Sequence, residues 1–386
     1  MDMTLAPKVA VAVVIYCLSV SAVPIYNKMV FSGTICWSDG CAKKFPYPIA
    51  TAFLQLGFVS LLLTLANIIG YACSPQARSS GKSWIFGPHF GYKLRHVAPV
   101  GLLFGIKYGI TNWGLALVPT AKHLLLQSTD LVWTVIFARI INKERLGLLE
   151  GVAASLSVAG AVCISLEGRQ GGEVPALGLV VNLMTPIFLA LCIAFLRTGT
   201  AEVFRKDNCL GGSMTPAEFT AMKLALSSTM ALVLACLMEN EAVLALEGKK
   251  EGEAWWTAAG QYPSGSWGLL LGGGLFVLIF QVNITWLAGL TSAIATGIVG
   301  EVKVVPQWMI NALFNLKINL SPLNVSGAAF SLAGSILYAC SASQASRLVL
   351  TRQGFQWQER ALANTLGISS FEAQQRAALE EKLLES

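Results

Sequence analysis

ITNWGLALVPTAKHLLLQSTDLVWTVIFARIINKERLGLLEGVAASLSVAG, residues 110–160, decides the fold, because a second stretch of the chain repeats it. At an offset of 174 positions, it overlays residues 284–334 without a gap. Identical positions include Ile110 and Thr111 with Ile284 and Thr285, Ala121 with Ala295, Ile136 with Ile310, Ala138 with Ala312, Lys143 with Lys317, Leu146 with Leu320, Ala154 with Ala328, Ser157 with Ser331, and Ala159 and Gly160 with Ala333 and Gly334. If the chain forms ten membrane-spanning helices, this repeat predicts that the third to fifth helices recur as the eighth to tenth.

The composition is that of a membrane protein. Of 386 residues, 54% are hydrophobic and only 12% are charged, and the mean hydropathy is +0.62. An ordinary soluble domain has about 25% charged residues. Ten membrane spans of about 22 residues would use about 220 residues, which is close to the hydrophobic share of the chain. A large soluble catalytic domain is therefore excluded.

Ten apolar segments are long enough to cross a bilayer, with nine or eleven as alternative counts. They are 8–32, 47–72, 94–117, 119–140, 146–166, 174–198, 216–238, 266–289, 291–314 and 321–343. Because five is an odd number, two five-helix halves insert in opposite orientations, as in many secondary transporters. The predicted fold is an all-α polytopic membrane protein of ten transmembrane helices in two inverted five-helix repeats, 8–166 and 174–343, followed by a polar cytoplasmic tail, 344–386.

The distribution of basic residues predicts the orientation. One side carries Arg78, Lys82, Lys93, Arg95, Arg139, Lys143, Arg145, Arg197, Arg205, Lys206, Arg347 and Arg352, and the other side carries Lys43, Lys44, Arg169, Lys249, Lys250 and Lys317. By the positive-inside rule both termini are cytoplasmic, and the Glu-rich stretch 239–253 faces the lumen or exterior. We expect these loop charges to be solvated. Since they are scattered, a nucleic-acid partner is not expected.

The sequence contains no pattern typical of an enzyme, a metal site or a bound cofactor. Its three histidines form no HExxH, and neither a Walker A motif nor GxSxG occurs. Nine cysteines include no CxxC, and only Cys36 and Cys41, within one loop, are candidates for a disulfide. The Gly272–Gly274 triplet lies inside an apolar span, where it predicts close helix packing rather than a phosphate-binding loop.

Among the charged residues inside the predicted spans, where an ionised side chain costs on the order of 3 kcal/mol, seven are candidates for a functional role. They are Lys28, Lys107, Lys122, Asp130, Lys223, Glu301 and Lys303. Lys107 and Lys303 lie in mid-span and are expected to face a cavity. Lys28, Lys122 and Lys223 either line its mouths or extend to the membrane surface. Asp130 and Glu301 are candidates for ion pairing or proton coupling.

Polar stripes accompany these charges. His123, Gln127, Asp130 and Thr134 share one helix face, Tyr108 and Asn112 share another, and Thr296, Gly300 and Gln307 lie on the face of Lys303. Such stripes either line a cavity or join helices by hydrogen bonds. An excess of lysine over carboxylate predicts a cationic cavity, and its natural ligand is a phosphorylated solute.

Several motifs resemble the triose-phosphate and nucleotide-sugar translocator family of the drug/metabolite transporter superfamily. They are Tyr26-Asn27-Lys28, Phe45-Pro46-Tyr47-Pro48 with Thr51 and Gln55, Thr291-Ser292-Ala293, Gly300, Lys303-Val304-Val305, Ser321-Pro322-Leu323-Asn324, Gly327, Ala333-Gly334 and Leu337-Tyr338. The resemblance implies a ten-helix antiporter, in which Lys303 is the phosphate-binding lysine of the ninth helix. The plastid branch has arginine after this lysine, so Val304 favours nucleotide sugars, and the stretch 298–303 differs from the Gly-Ala-Leu-Asn-Lys pattern of GDP-mannose carriers.

The function expected is exchange of a nucleotide sugar for a nucleoside monophosphate across a Golgi or endoplasmic reticulum membrane by alternating access. A plastid membrane is less favoured, since only seven residues precede the first span. The expected substrate-binding residues are Lys303, Lys107, Asn27, Lys28, Tyr108, Asn112, His123, Gln127, Lys223, Asn283 and Gln307. Open alternatives are a sugar-phosphate/phosphate translocator, a proton-coupled drug or metabolite exporter, and a non-transporting scaffold. The expected partners are the solute and the lipid bilayer, and a homodimer is left open.

Overall fold

The computed structural model describes residues 5–302 except 34–35, 38–39, 42, 75–83, 119–122, 124–125, 128, 145–146, 168–175 and 247–252, and beyond these it describes residue 306 and parts of 321–337. Helices make up most of this part of the chain. They are α1 (Leu5–Ser32), α2 (Pro48–Cys73), α3 (Phe90–Leu117), α4 (Asp130–Phe137), a π-helix (Ala138–Asn142), α5 (Leu148–Glu167), α6 (Ala176–Val203), α7 (Pro216–Met238), α8 (Glu241–Leu246), α9 (Trp255–Gly260), α10 (Ser264–Leu290) and α11 (Ala293–Val302).

Within the described part of the chain, five helices are long and apolar enough to cross a bilayer: α1 over Val11–Ser32, and α2, α6, α7 and α10 over their whole lengths. Apolar side chains on their outer faces are exposed, for example Val14 at 58% and Ile69 at 58%. Outward-facing apolar side chains on long helices are typical of contact with lipid. The chain is therefore built as an all-helical membrane protein. Helix α3 is equally long, with 28 residues, but carries Lys93, Arg95 and Lys107.

The observed helices agree with most of the predicted spans. Pro216–Met238 coincides with its prediction, and the ends of α2 and α10 differ from theirs by two residues or fewer. In the fourth predicted span, α4 runs from Asp130 to Phe137 and is followed directly by the π-helix, while several residues before Asp130 lie outside the described part of the chain. Two short helices within the loop between α7 and α10, α8 and α9, were not predicted from the sequence.

Helices α2 and α7 pack antiparallel along their lengths. Near the start of α2, the Ile49 amide donates a hydrogen bond to the carboxylate of Glu239, which lies just beyond the end of α7. At the other end of the contact, the Ser60 hydroxyl of α2 donates to the Ala221 carbonyl of α7 at 3.0 Å. In the predicted repeat these are the second and seventh helices, so two equivalent helices run in opposite directions.

Glycines let α3 approach the backbone of α7. A Cβ on Gly105 would lie 2.5 Å from the Ser227 carbonyl oxygen, and one on Gly101 would lie 2.8 Å from the Lys223 carbonyl oxygen. The Ser227 hydroxyl donates to the Gly101 carbonyl at 2.8 Å across the same interface. Small residues at four-residue spacing thus join these helices, as in other membrane bundles.

The glycine triplet of α10 has the packing role that the sequence predicted. A Cβ on Gly273 would collide with Gln55 and the Tyr26 ring, and one on Gly274 would lie 3.1 Å from the Phe58 ring. The Tyr26 hydroxyl donates to the Leu269 carbonyl at 2.5 Å. Helix α10 therefore packs closely against both α1 and α2.

Carboxylates bind the free amides at the starts of two helices. Glu239 accepts hydrogen bonds from the amides of Ile49 and Ala50, each at 2.8 Å. Glu144, just after the π-helix, accepts from the amides of Ala293 and Ile294 at 3.0 and 3.1 Å. The negative charge lies at the positive end of the helix dipole in both cases, which stabilises the contact.

Three of the loop charges predicted to be solvated are not. Lys93 is 0% exposed and Glu239 is 5% exposed, while Arg197 is half-buried. The prediction was wrong for them because each side chain has a partner inside the bundle: Glu218 for Lys93, helix-end amides for Glu239, and the Ala288 carbonyl for Arg197. A loop position in sequence does not reveal such partners.

A small hairpin lies between α1 and α2. Its strands, β1 (Cys36–Trp37) and β2 (Gly40–Cys41), pair antiparallel with Cys36 opposite Cys41. This backbone register is compatible with the disulfide considered for the two cysteines, which remains a prediction.

Candidate functional site

The cavity between α1, α3, α6 and α10 is the candidate functional site. Its volume open to the centres of water molecules is about 50 Å³. This is room for a few waters. The described lining residues are Tyr16, Val20, Val23, Pro24, Lys107, Tyr108, Thr111, Asn112, Leu115, Gln127, Leu189 and Phe280.

Lys107 provides the positive charge of the cavity wall. It lies well inside α3, 17 residues after Phe90, and is 8% exposed. Its ammonium nitrogen lies 4.5 Å from the centroid of the Tyr108 ring, which is a cation–π distance. The sequence predicted both residues for the site, and both line the cavity.

Helix α10 supplies polar groups next to this pair. The Gln281 side-chain amide donates to the Tyr108 hydroxyl. The carbonyl oxygen of the Gln281 side chain is buried and has no hydrogen-bond partner within the described part of the chain, and the same is true of the Thr111 hydroxyl. A buried polar group without a partner is costly. The Thr111 hydroxyl lines the cavity and can therefore bind a solute or water there.

Asn112 joins the cavity to a buried amide chain. Asn27 donates to the Asn112 side-chain oxygen at 3.3 Å and accepts from Gln55 at 3.0 Å. Asn112 itself donates to the Pro48 carbonyl at 3.1 Å. Asn112 lines the cavity, whereas Asn27 holds α1, α2 and α3 together from behind it.

His123 and Gln127 form a second polar group. One ring nitrogen of His123 lies 2.5 Å from the Asn182 side-chain oxygen, and the other lies 2.9 Å from the Gln127 amide nitrogen. Asn182 also donates to the Gly114 carbonyl at 3.0 Å. Gln127 lines the cavity, and His123 connects it to α6 from a fully buried position.

The other predicted lysines that the structure describes lie outside the cavity lining. Lys223 is fully buried, donates to the Thr285 hydroxyl at 2.9 Å, and has its nitrogen 4.7 Å from the centroid of the Phe104 ring. Lys28 donates to the Leu115 carbonyl at 2.7 Å. Lys28 thus binds the end of α3 at the cavity-lining residue Leu115.

The remaining predicted residues are placed as follows. Asp130 begins α4 and is 3% exposed, and Asn283 of α10 is 6% exposed. Glu301 belongs to α11, but its side chain lies outside the described part, as do Lys303, Gln307 and Lys122. Their predicted roles rest on the sequence alone.

The described lining contains one cation and no carboxylate. Amides and hydroxyls surround Lys107, so the cavity offers hydrogen bonds and positive charge to a small polar anion. Within the same described residues, no group of three or more histidine, cysteine or acidic side chains could hold a metal ion.

Sequence reasoning missed Gln281, Thr285 and Asn182. Each is a neutral polar residue within an apolar helix, where such residues also join helices by hydrogen bonds. The available signal was the repeat: at the offset of 174, Gln281 overlays Lys107 and Thr285 overlays Thr111.

The chain matches no protein-family model. Its fold is similar to that of a solved protein described only as a protein crystal structure, with a TM-score of 0.52 over 86% of this chain and 98% of that chain. The two sequences are 14% identical. This likeness concerns the fold alone. Together with the long apolar helices, it describes a helical membrane protein.

Proposed function

We propose that the protein is a secondary transporter that exchanges a nucleotide sugar for a nucleoside monophosphate across a Golgi or endoplasmic reticulum membrane. Its ten spans form two inverted five-helix repeats, and the cavity is open alternately to the two sides. Lys107, in the wall of the cavity, carries this proposal. A phosphate group forms strong, charge-assisted hydrogen bonds with a lysine ammonium.

The lining chemistry supports a solute with both a phosphate and polar rings. Gln127 and Asn112 offer amides, Thr111 offers a hydroxyl, and Tyr108 and Phe280 offer aromatic faces. Lys303 is the second proposed phosphate ligand, on the resemblance of the ninth helix to the translocator family. Two lysines and aromatic surfaces suit a nucleoside diphosphate sugar better than inorganic phosphate alone.

The directions of equivalent helices support inverted repeats. Helix α2 is antiparallel to α7, as their contacts at Glu239 and Ser60 require. Helix α4 is antiparallel to α11, because Glu144 after α4 contacts the start of α11 while Thr134 packs against Gly297. These are the second and seventh, and the fourth and ninth, helices of the proposed repeats.

The small cavity indicates a closed conformation. About 50 Å³ is far less than the 300–1,000 Å³ of a typical ligand pocket. A nucleotide sugar therefore requires the helices around the cavity to separate on one side, as alternating access demands.

Purified protein in liposomes tests the proposal. Vesicles are preloaded with UMP, GMP, CMP or phosphate and offered each nucleotide sugar from outside. We expect uptake of one sugar class only when the matching monophosphate is inside. Exchange of phosphate alone would favour a sugar-phosphate translocator, and the absence of exchange with every pair would contradict the transporter assignment.

Proton-coupled export is the second candidate, and the buried carboxylate of Asp130 favours it. Asp130 is 3% exposed and lies three residues after the cavity residue Gln127. Flux that depends on acidification and is lost in Asp130→Asn would support this candidate over exchange.

A further inference from the structure

Lys28 and Arg197 make the same contact at two different helix ends. The Lys28 ammonium donates to the Leu115 carbonyl at 2.7 Å, at the end of α3. The Arg197 guanidinium donates to the Ala288 carbonyl at 3.0 Å and to the Gly289 carbonyl at 3.4 Å, at the end of α10. At the repeat offset of 174, Leu115 overlays Gly289. Each cation lies on the first helix of its half and binds the third.

The two contacts lie at opposite ends of the bundle. Helices α3 and α6 are antiparallel, since Asn182 contacts the Gly114 carbonyl and Gly199 packs against the His96 carbonyl. From residue 96 to residue 114, α3 rises about 27 Å, which is close to the ~30 Å thickness of the hydrocarbon core. Lys28 is therefore near one membrane surface and Arg197 near the other.

Each contact continues a wall of the cavity. Leu115 lines the cavity, and so does Pro24, one helical turn before Lys28 on α1. At the other end, Arg197 lies about two turns beyond the lining residue Leu189, and Ala288 lies about two turns beyond Phe280. Lys28 joins α1 to α3, and Arg197 joins α6 to α10. A passage from the cavity between either pair of helices needs the corresponding bond to break.

The chemistry of these bonds is suited to repeated opening. Carbonyls at a helix end are free of helical partners and carry partial negative charge, so they attract a cation. A phosphate oxygen forms a stronger bond with lysine or arginine than a neutral carbonyl does. An arriving anionic solute can therefore take the cation from the helix end.

We propose that Lys28 and Arg197 are the two gate residues of the carrier, each closing the cavity at one end of the bundle and binding anionic solute when that end opens. The proposal rests on the proposed transport function and assigns to Arg197 a role at the gate opposite Lys28. The two bonds do not break together, because the cavity opens to one side at a time. Loss of one cation therefore shifts the protein toward the conformation open at that end.

Hydrogen–deuterium exchange of the full-length protein in lipid nanodiscs tests this coupling without any solute. In Lys28→Met, we expect the amides of 112–118 to exchange about five-fold faster, the population change that loss of one helix-end cation can produce. The amides of 285–292 should exchange more slowly than in the wild type. Arg197→Met should give the reverse pattern.

The decreased exchange at the distant end is the decisive readout. Faster exchange confined to the mutated end would mean that the residue is only a helix cap, and would overturn the proposal, as would no change at either end. The exposed lysines Lys43 and Lys206 lie in the loops at the two respective ends, so Lys43→Met and Lys206→Met are matched controls expected to leave both regions unchanged. Lys28→Arg should retain the wild-type pattern.

Each single variant decides the question if the other fails to fold, because the reciprocal change is expected from either. The liposome assay separates the two proposals. If hydrogen exchange changes reciprocally but no nucleotide sugar is transported, the gate proposal stands and the proposed solute class is rejected. If nucleotide sugars are transported but hydrogen exchange does not change reciprocally, the proposed solute class stands and the gate proposal is rejected.

Discussion

The ammonium of Lys93 lies 2.7 Å from the carboxylate of Glu218, and both side chains are almost completely buried. The Lys93 ammonium also donates to the Trp84 carbonyl at 2.6 Å. The pair therefore joins the first turns of α3 and α7 and the segment before α3. Breaking such a pair leaves a buried charge, whereas replacing both partners does not.

We predict that Lys93→Met lowers the free energy of unfolding by about 3–5 kcal/mol. The double variant Lys93→Met/Glu218→Met should recover most of this loss, because no charge is left buried. Thermal unfolding in detergent measures both. Equal loss in the single and double variants would mean that the ion pair is not the cause.

An exposed pair provides the control. Arg205 hydrogen-bonds Asp207, and this bond lowers the pKa of the Asp207 carboxyl below its usual value. The two side chains are 54% and 67% exposed. Because water screens exposed pairs, Asp207→Asn should leave the unfolding temperature unchanged.

The α3–α7 interface gives a second prediction. Gly105→Ala should lower the free energy of unfolding by about 1–3 kcal/mol, since its Cβ meets backbone rather than a movable side chain. Gly70→Ala in α2 is the matched control, because nothing lies within 4 Å of that Cβ. Thermal unfolding of both variants checks the difference, and equal stability would contradict the close approach.

The contact of the Glu239 carboxylate with the start of α2 gives a third prediction. Glu239→Ala removes two charge-assisted hydrogen bonds from buried amides and should destabilise the protein by about 1–3 kcal/mol. Glu241→Ala, two residues on and exposed, should have no measurable effect. A loss of stability in both variants would point to the loop as a whole instead.

Transport itself gives the fourth prediction. Lys107→Met should reduce exchange at least ~10-fold while leaving membrane insertion and the unfolding temperature near normal, because it removes the solute's charge partner. Lys107→Arg should retain part of the activity. Counter-exchange in liposomes is the measurement, with Lys43→Met as the control for loss of a lysine.

The proposed ninth-helix lysine receives a test of its own. Lys303→Ala should abolish counter-exchange with normal insertion, as the family resemblance implies. Wild-type exchange by this variant would remove Lys303 from the site and leave Lys107 as its cation.

Much of the helical fold follows from the sequence because hydrophobic length reports directly on bilayer thickness. Helices α2 (Pro48–Cys73) and α7 (Pro216–Met238) each begin with a proline, so their starts were predictable. Which helices pack against each other was harder to predict from the sequence. Glu239 and Lys93 looked like loop charges, since their partners are far away in sequence.

The candidate site was predictable where a charge stood in mid-span, and less so elsewhere. Lys107 could be found because a lysine at membrane depth is costly and therefore rare. Asn27 was also found, but the structure uses it to connect helices behind the cavity. A polar stripe alone cannot separate these two roles, because both need the same side chains on the same face.

The π-helix after α4 changes how the fourth span must be compared with other helices. It contains one more residue per turn than an ordinary α-turn, which rotates everything after it by about 100°. Asn142 thereby reaches α6, where it donates to the Ala194 carbonyl and the Thr198 hydroxyl, both at 3.0 Å. A helical wheel drawn without interruption through this span assigns Asn142 to the wrong side, and removing one residue from Ala138–Asn142 should turn its amide away from α6.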